Sequence, residues 1–527
     1  MIAANDPQAA QSPAFLSLRG AASYLMDNYD QATADLGNPA LSTYPDAELW
    51  RGAVAAAQAH WADAVPSFAQ VGDRIQEYPI ALKVKFGLLA AETAINSHEF
   101  PAAQTYLDFV AGAGPDKLGE AHVKYLLGLL ATTRRETDKA AGLYDEAIAN
   151  GDPAVKAKAK FAKVTMLLEA KKIPAKEAID SLEDLRFAWR GDSMEFDVLR
   201  RLGDLYLASG EYEKGLTTLK RAVTFFPDDP RAKDAADAMN VAFAKLYVDG
   251  AADNLPPLKA LGIYRDFREL TPPGAPGDAV IRNLAERMVA VDLLTDAGDL
   301  LEPLVASRLQ GADKLAAGTR LAVIRLLDKK PDKALDALKA SATDKIPADV
   351  AAERRRIEAR AYADQDKGKE AMAALEGDSS RDADLLRSDV LWHERNWAEA
   401  AKVLGRLTET PDGKTDGEGA APDNQAAQLI VRRAAALWLA GDEDALANLR
   451  DRFAEKLAKT PYNNDFRVIA AAQAGEVDSV EAVTARLADV DAYAAFAADL
   501  KAAPKAVNKD DAPKAAADAK EVAAKVP

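Results

Sequence analysis

The sequence contains no cysteine among its 527 residues. Disulfide bonds, thiolate nucleophiles and cysteine-type zinc sites are therefore excluded. Histidine is also scarce, and the four residues, His60, His98, His122 and His393, are too scattered to predict a metal site. A glutamate follows both His98 and His393, as in zinc-protease helices, but neither has the second histidine four residues later. We expect no metal and no cofactor.

The motifs of common enzyme classes are missing as well. No GxxxxGK[ST] phosphate loop and no GxSxG nucleophile elbow occurs. The glycines of 112–119 are superficially similar to a dinucleotide loop, but Lys117 stands where the third glycine belongs. Acidic pairs such as Asp228/Asp229 are expected by chance in an acidic chain, and catalysis needs carboxylates that face each other across a pocket. We therefore predict that the protein is not an enzyme.

Long apolar runs are absent too. No window approaches the ~18 uninterrupted apolar residues that a membrane span requires. The first 15 residues lack the basic region and apolar segment of a signal peptide. We expect no direct membrane insertion, and the compartment stays open: the cytoplasm if Met1 is the native start, the periplasm if the chain is the C-terminal part of a longer exported protein.

What is present favours helices. Hydrophobic residues make up 49% of the chain and aromatic residues 7%, while alanine, the best helix former, is abundant. No stretch alternates polar and apolar residues for long, which argues against a sheet. The net charge of −16 disfavours nucleic acid and anionic lipid as partners. The composition predicts an all-α fold.

One short pattern recurs along the chain. Trp61 is followed by Ala64 and Phe68, and Trp397 by Ala400 and Leu404, at the same spacing. Other copies begin at Tyr29, Phe100, Thr137, Tyr212 and Pro331. Each copy predicts the second helix of a helix pair, with a bulky residue below the turn and a small residue where two helices cross. Repeats of a fixed length predict stacked pairs that bury one another's apolar faces.

The clearest unit is 197–230, in which "SG" at 209–210 separates two amphipathic segments. This unit resembles the tetratricopeptide repeat (TPR) family, a 34-residue helix–turn–helix. The matching residues are Leu199, Leu202, Gly203, Tyr206, Tyr212, Gly215, Leu219, Ala222 and Pro227. Leu199 replaces the usual tryptophan, and Gly215 the usual alanine. The resemblance implies a right-handed α-solenoid of TPR-like repeats in two superhelical segments.

Capping residues, prolines and glycines predict where helices and repeat arrays begin and end. Ser12, Asp152 and Asp229 each precede a proline, as an N-cap precedes the first residue of a helix. We expect a TPR-like array over 1–252, a Pro/Gly-rich joint over 253–280 and a second array over 281–500. A flexible loop is expected near 408–424, and a disordered Ala/Lys tail over 501–527.

The central and C-terminal sequence is similar to a narrower group. "IYRDFRELTPPGAPGD" and "SDVLWHERNWAEAAKVL" resemble the distal half of large, uncharacterised TPR proteins of alphaproteobacteria. Such proteins often carry an additional N-terminal region and an export signal. No known chemistry accompanies this resemblance.

The TPR resemblance also implies a binding surface, because TPR proteins bind partners on the concave face lined by first helices. The inward positions are occupied by His122, Tyr125, Asp197, Arg200, Asp204, Asp389 and Trp392. Tyr125 and Trp392 either anchor an extended peptide or pack against neighbouring helices. The basic run Arg354–Arg356 is interpreted as a solvated helix face with ion pairs along the helix, with binding of an acidic peptide as the alternative.

These features favour a non-enzymatic scaffold or adaptor that binds a protein or peptide segment on its concave face. Assembly of a cell-envelope or motility complex is an analogy that fits this role. Two alternatives stay open. One is an α/α-toroid enzyme acting on a polysaccharide, and the other is a self-assembling repeat protein.

Overall fold

The computed structural model describes residues 9–191, 193–409 and 422–471. Every regular element in these ranges is a helix, and none of them contains a strand. The chain divides into two compact units between Phe243 and Ala244, called here the N-terminal and the C-terminal unit. Most of the predicted flexible loop and the whole of the predicted disordered tail lie outside the described residues.

The N-terminal unit consists of helices that follow one another in pairs. They are α1 (Pro13–Leu25), α2 (Tyr29–Leu36), α3 (Pro45–Ala57), α4 (Trp61–Val71), α5 (Ile80–Asn96), α6 (Phe100–Gly112), α7 (Lys117–Thr133), α8 (Thr137–Asn150), α9 (Pro153–Glu169), α10 (Ala175–Ala188), α11 (Ser193–Ala208) and α12 (Tyr212–Phe225). Helix α13 (Ala232–Tyr247) follows them and includes the division between the units.

The C-terminal unit continues the same plan. Its helices are α14 (Pro257–Asp266), α15 (Ala275–Ala290), α16 (Leu294–Pro303), α17 (Gly311–Leu327), α18 (Pro331–Ala340), α19 (Ala348–Ala363), α20 (Gly368–Ala374), α21 (Arg381–His393), α22 (Trp397–Thr408), α23 (Asn424–Ala440), α24 (Glu443–Leu457) and α25 (Asn463–Ala471). A π-helical turn, Leu304–Arg308, extends α16. The stretch 253–280 holds α14 and the start of α15.

The first helix of each pair ends in the same turn. A residue with positive φ follows the helix, and the N–H of the next residue donates to the carbonyl five residues back, as from His60 to Ala55 (2.8 Å). This is the Schellman motif, which satisfies carbonyls at a helix end. In these turns the residues with positive φ are Asp27, Ala59, His98, Arg135, Lys171, Gly210, Asp292, Lys329, Asp366, Arg395 and Gly441.

The second helix begins at a fixed distance from this turn. Its first residue lies two positions after the residue with positive φ, except at Lys171, where α10 begins at Ala175. In most of these helices the residue three positions after the first is an alanine with 0% exposure. Its small side chain lies where the first helix of the same pair crosses closely. These alanines are Ala32, Ala64, Ala103, Ala140, Ala178, Ala297, Ala334, Ala371 and Ala400.

The predicted register is confirmed. All seven predicted second helices begin at the predicted residue, and Trp61 and Trp397 occupy the same place in α4 and α22. The N-caps Ser12 and Asp152 are also confirmed, since their side chains accept from the N–H groups of Phe15 and Val155. The third N-cap prediction is wrong. Helix α13 begins at Ala232, and Asp229 accepts instead from the Arg231 N–H within the preceding turn (2.9 Å).

The core runs between neighbouring pairs. Trp50 of α3 shows how, because its ring contacts Tyr24 of α1 (centroids 5.6 Å apart) and Phe86 of α5 (4.8 Å). A first helix therefore buries apolar side chains against the first helix before it and the one after it. The fold is an all-α solenoid of TPR-like helix pairs, in which each pair is stabilised by its neighbours. In the part of the chain that the structure describes, no helix combines the length and apolar character needed to cross a bilayer.

Candidate binding groove of the N-terminal unit

Two successive first helices, α9 and α11, and the start of α13 line a cavity of about 280 Å³ in the N-terminal unit. Helix α11 supplies most of its wall, including the predicted residues Asp197, Arg200 and Asp204. The full lining is Phe161, Phe196, Asp197, Arg200, Arg201, Asp204, Arg231 and Asp234. The structure thus brings together the three residues that the sequence placed on the inward face of this repeat.

The rim of the cavity carries charges of both signs, and most of them are paired. Arg200 Nε donates to Asp204 one turn later (2.9 Å). Arg231 pairs with Asp197 of α11 and with Asp229 (2.8 Å), so its guanidinium joins the start of α13 to α11. The hydrogen bond from Arg231 holds the pKa of Asp229 below its usual value. Arg201 pairs with Glu169 at the end of α9 (3.1 Å).

The wall beneath these charges is aromatic. Phe196 is buried, and the Arg231 guanidinium lies over its ring at 4.6 Å from the centroid. Phe161 is half-buried and packs with apolar residues of α9, α10 and α11. The cavity therefore offers an apolar surface inside a rim of paired charges, which is the arrangement that accepts an amphipathic side chain.

His122 and Tyr125 lie on α7, next to α9 in the same unit. Lys158 Nζ of α9 donates to Glu92 Oε1 of α5 (3.0 Å), which links the two first helices on either side of α7. The His122 Nε2 atom is buried and finds no hydrogen-bond partner among the described residues. Burial lowers the pKa of His122, with Glu92, Lys158 and Asp152 as the nearby charges.

Tyr125 is only 8% exposed, and its ring packs near Tyr144 with 6.4 Å between centroids. Burial is the main reason that the pKa of Tyr125 is raised well above its ordinary value. Most of the ring is therefore out of reach of a partner. Of the two roles considered for Tyr125, the geometry shows packing against neighbouring helices.

Asp389 and Trp392 lie in the C-terminal unit, on α21. Arg432 of α23 donates to Asp389, and the same guanidinium lies over the Trp392 ring, 4.8 Å from its centroid. All three side chains are buried, and Trp392 also contacts Trp397 edge to face (5.2 Å). This cluster joins α21, α22 and α23. It leaves little of the Asp389 or Trp392 side chain accessible to a partner.

The basic run Arg354–Arg356 differs from its predicted solvated face, and this prediction is wrong for two of its residues. Arg354 is 7% exposed and donates to Thr319 Oγ1 (2.8 Å), Ser341 Oγ (3.1 Å) and the Leu338 carbonyl. Arg356 pairs with Asp378, beyond α20 (2.9 Å). Only Arg355 is exposed. Arg354 and Arg356 therefore bond to residues outside their own helix. These partners are distant in sequence, so the pattern of charges within the run does not reveal them.

Sequence reasoning missed several residues of the groove. Phe161 belongs to the pair whose turn is lengthened after Lys171, so the recurring pattern does not reveal its register. Arg231 precedes α13, which begins later than its proline suggests. Phe161 lies ten residues before the turn residue Lys171, just as Arg200 lies ten residues before the turn residue Gly210. Counting positions from the turn, rather than from the start of α10, therefore places Phe161 on the same face as Arg200. Across the described residues, no group of three or more His, Asp or Glu side chains could hold a metal ion.

Comparison with known proteins gives weak likenesses. No protein-family model matches the sequence, and no curated protein matches it. Among solved structures, the apo form of RapI is 12% identical with a TM-score of 0.34, over 62% of this chain and 96% of that chain. The P58(IPK) TPR domain is 14% identical with a TM-score of 0.24, over 73% and 98%. The pentatricopeptide repeat protein PPR10 from maize is 14% identical with a TM-score of 0.30, over 94% and 69%. At these scores the fold assignment rests on the helix pairs themselves.

Proposed function

We propose that this protein is a non-enzymatic adaptor that holds an extended segment of a partner protein along the first helices of its N-terminal unit. The observation that carries the proposal is the cavity shared by α9, α11 and α13. A groove built from successive first helices presents side chains at regular intervals, so an extended peptide makes many small contacts along it.

The size of the cavity favours a side chain over a small molecule. Sites for drug-sized ligands enclose ~300–1,000 Å³, and this cavity of about 280 Å³ lies just below that range. We expect a large apolar or aromatic side chain of the partner to contact Phe161 and Arg200, which both line the cavity. Binding energy in protein interfaces concentrates at such buried anchors.

The charges around the cavity support a partner segment that carries both signs. Arg200, Arg201 and Arg231 are matched by Asp197, Asp204 and Asp234, so the rim has no strong preference for one sign. The chain as a whole carries −16, which disfavours the phosphate backbone of nucleic acids. A protein segment is therefore the partner that this surface suits best.

Two finer points belong to the same proposal. The stretches 263–278 and 388–404 support a relationship to large TPR proteins of alphaproteobacteria. In such proteins, a role in assembling an envelope or motility complex fits an adaptor. The domain plan also stays a proposal, with two arrays that meet near the Pro/Gly-rich stretch 253–280.

Site-specific photo-crosslinking in the source cells tests the adaptor role. A benzophenone amino acid at Arg200 or Asp204 should give a discrete crosslinked product, because both side chains face the cavity. The matched control is Glu213 on α12, an exposed residue of the same helix pair. Equal labelling from all three positions, or none from the groove, would overturn the proposal.

A charge exchange provides the matching variant. Arg200→Asp combined with Asp204→Arg keeps an i,i+4 ion pair on α11 and therefore preserves helix stability. The same change reverses the charge pattern that a partner meets. We expect unchanged melting of the protein and loss of the crosslinked product from a benzophenone at Phe161. Retention of the product would show that the partner lies elsewhere.

A further inference from the structure

One carboxylate of the cavity in the N-terminal unit stays unmatched by the arginines around it. Asp197 pairs with Arg231, and this bond joins α11 to the start of α13. Asp204 pairs with Arg200 one turn earlier on α11 (2.9 Å). Asp234, in the first turn of α13, also lines the cavity and is exposed. Among the described residues it forms no hydrogen bond and no ion pair, so its charge is open to a ligand.

Carboxylates just outside the lining add to this negative charge. Arg201 pairs with Glu169 at the end of α9 (3.1 Å). Arg231 pairs with Asp229 (2.8 Å) in addition to Asp197. The three arginines of the lining are therefore matched by four carboxylates before Asp234 is counted. Although the lining alone is balanced, the cavity with its ion-pair partners carries an excess of negative charge, which attracts a cation.

The wall of the cavity shows how a cation is held here. The Arg231 guanidinium lies over the ring of Phe196, 4.6 Å from its centroid, while carboxylates bind its nitrogen atoms. Phe161 and Asp234 offer an aromatic ring and a carboxylate in the same cavity. No cation of the described residues lies over the Phe161 ring. A cationic side chain of a partner can therefore gain an ion pair at its head and an apolar contact along its stem.

The chemistry of the cavity favours a basic side chain over a metal ion. A divalent metal ion takes several oxygen ligands that converge on it. In the described ranges, no group of three or more His, Asp or Glu side chains could supply them. A ring such as Phe161 instead favours a cation that carries carbon atoms, because those atoms bury apolar surface against it. Lysine and arginine combine a long aliphatic stem with a charged head.

We infer that the partner segment places a lysine or arginine in this cavity, with its charge beside Asp234 and its stem along Phe161. This inference rests on the proposed function, because it names the chemistry of the segment that the groove holds. Residues two positions apart lie on the same side of an extended segment. The basic residue therefore lies two positions from the apolar anchor, and both face the cavity. The net charge of −16 adds a long-range attraction for a basic segment.

Photo-crosslinking from position 161 in the source cells tests the role of Asp234. A benzophenone amino acid at Phe161 keeps an aromatic ring in the wall. We expect Asp234→Asn to reduce the crosslinked product about fivefold, the effect of losing one exposed ion pair, and Asp234→Lys to abolish it. The matched control is Asp237→Asn, at an exposed residue of α13 outside the cavity lining, which should leave the yield unchanged. Thermal melting confirms that each variant folds.

The outcomes separate this inference from the proposed function. A crosslinked product that is equally strong in the wild type, Asp234→Asn and Asp234→Lys overturns the basic residue and leaves the adaptor role intact. Absence of the product in the wild type overturns both.

Phage display of random peptides on the purified full chain identifies the residue that Asp234 binds. We expect enriched peptides to carry a lysine or arginine two positions from a large apolar residue. Replacing that basic residue with norleucine keeps the aliphatic stem and removes the charge. The replacement should weaken binding to the wild type about fivefold and leave binding to Asp234→Asn unchanged, because the two changes remove the same ion pair. Equal losses on both proteins, enriched peptides without a basic residue or no enrichment at all would contradict the inference.

Discussion

Trp61 and Trp397 hold the same place in two helix pairs that belong to different units of the chain. Each begins a second helix, lies two residues after a residue with positive φ and precedes a fully buried alanine by three residues. Each ring is half-buried against its local core. The two tryptophans therefore occupy equivalent positions in their pairs, and Trp397 also contacts Trp392 edge to face.

The buried alanines leave no room for larger side chains. Ala64 and Ala400 both have 0% exposure where two helices cross. Overpacking a core typically costs about 1–3 kcal/mol, so we expect Ala64→Leu and Ala400→Leu to destabilise their units by that amount. Native-state hydrogen exchange measures the local opening free energy. Ala62→Leu, at an exposed residue of α4, should change it by less than about 0.5 kcal/mol. Equal effects at Ala62 and Ala64 would contradict the crossing.

The turn residues offer a gain in stability. Ala59 adopts a φ of 60°, in the left-handed region that favours glycine. The left-handed conformation costs an L-residue about 1–2 kcal/mol, while glycine adds disorder to the unfolded chain. We expect Ala59→Gly to stabilise the N-terminal unit by about 0.5–1 kcal/mol. In the control Ala69→Gly, the same change within α4 should destabilise by a similar amount. Thermal melting of both variants compares them, and a loss of stability at Ala59 would contradict the turn.

Burial of His122 gives the N-terminal unit a pH dependence. Its pKa is lowered in the folded protein, mainly by burial, while the pKa of a histidine in the unfolded chain is about 6.5. The unfolded state therefore takes up the proton first as the pH falls below about 6.5, and stability decreases. His122→Gln should remove this part of the pH dependence. Melting temperatures at about pH 7.5 and about pH 5.5 measure it. His60→Gln, at an exposed residue, is the control, and identical slopes for wild type and His122→Gln would contradict the account.

The buried pair Asp389–Arg432 should be costly to break from one side. Removing one partner of a buried ion pair leaves an uncompensated charge and typically costs about 3–5 kcal/mol. We expect Asp389→Leu or Arg432→Leu alone to lower the free energy of unfolding by this amount. The double variant should lose less stability than the sum of the two single variants. Hydrogen exchange in α21 and α23 measures the coupling. The exposed pair Glu399–Lys402 on α22 is the control, and Glu399→Gln should cost less than about 1 kcal/mol. Strictly additive losses at Asp389 and Arg432 would count against their burial as a pair.

Much of the fold could be predicted from sequence because local patterns specify it. A small residue three positions into the helix and a large apolar residue after four more mark seven second helices correctly; the small residue is alanine in six of them and Gly215 in the seventh. The helices at Ala175, Leu294, Gly368 and Glu443 were missed because none begins with the aromatic residue that marks most copies. Their first helices nevertheless end in the same turn. The hydrogen bonds of that turn are formed by the backbone, so they leave little trace in the sequence.

Side-chain accessibility could not be predicted in the same way. Tyr125 and Trp392 occupy inward positions of the TPR pattern, yet neighbouring helices bury them. Arg354 is satisfied by Thr319 and Ser341, which lie on or beside other helices. Asp197, Arg200 and Asp204 line the cavity of the N-terminal unit, on a helix that follows the family spacing closely. Spacing along one helix predicts the face of a residue, but the neighbouring pair decides whether that face is open.

Hydrogen–deuterium exchange resolved along the full chain tests the central claim that one helix pair is repeated and stacked. The account predicts slow exchange in the second helices around their buried alanines, from Ala32 to Ala400, and faster exchange in the loops that join successive pairs. It also predicts that, in the turn inside each helix pair, the amide after the residue with positive φ, such as His60 or Glu211, is protected by its bond to the carbonyl five residues back. Unprotected amides at these turns, or protection without this recurring pattern, would contradict it.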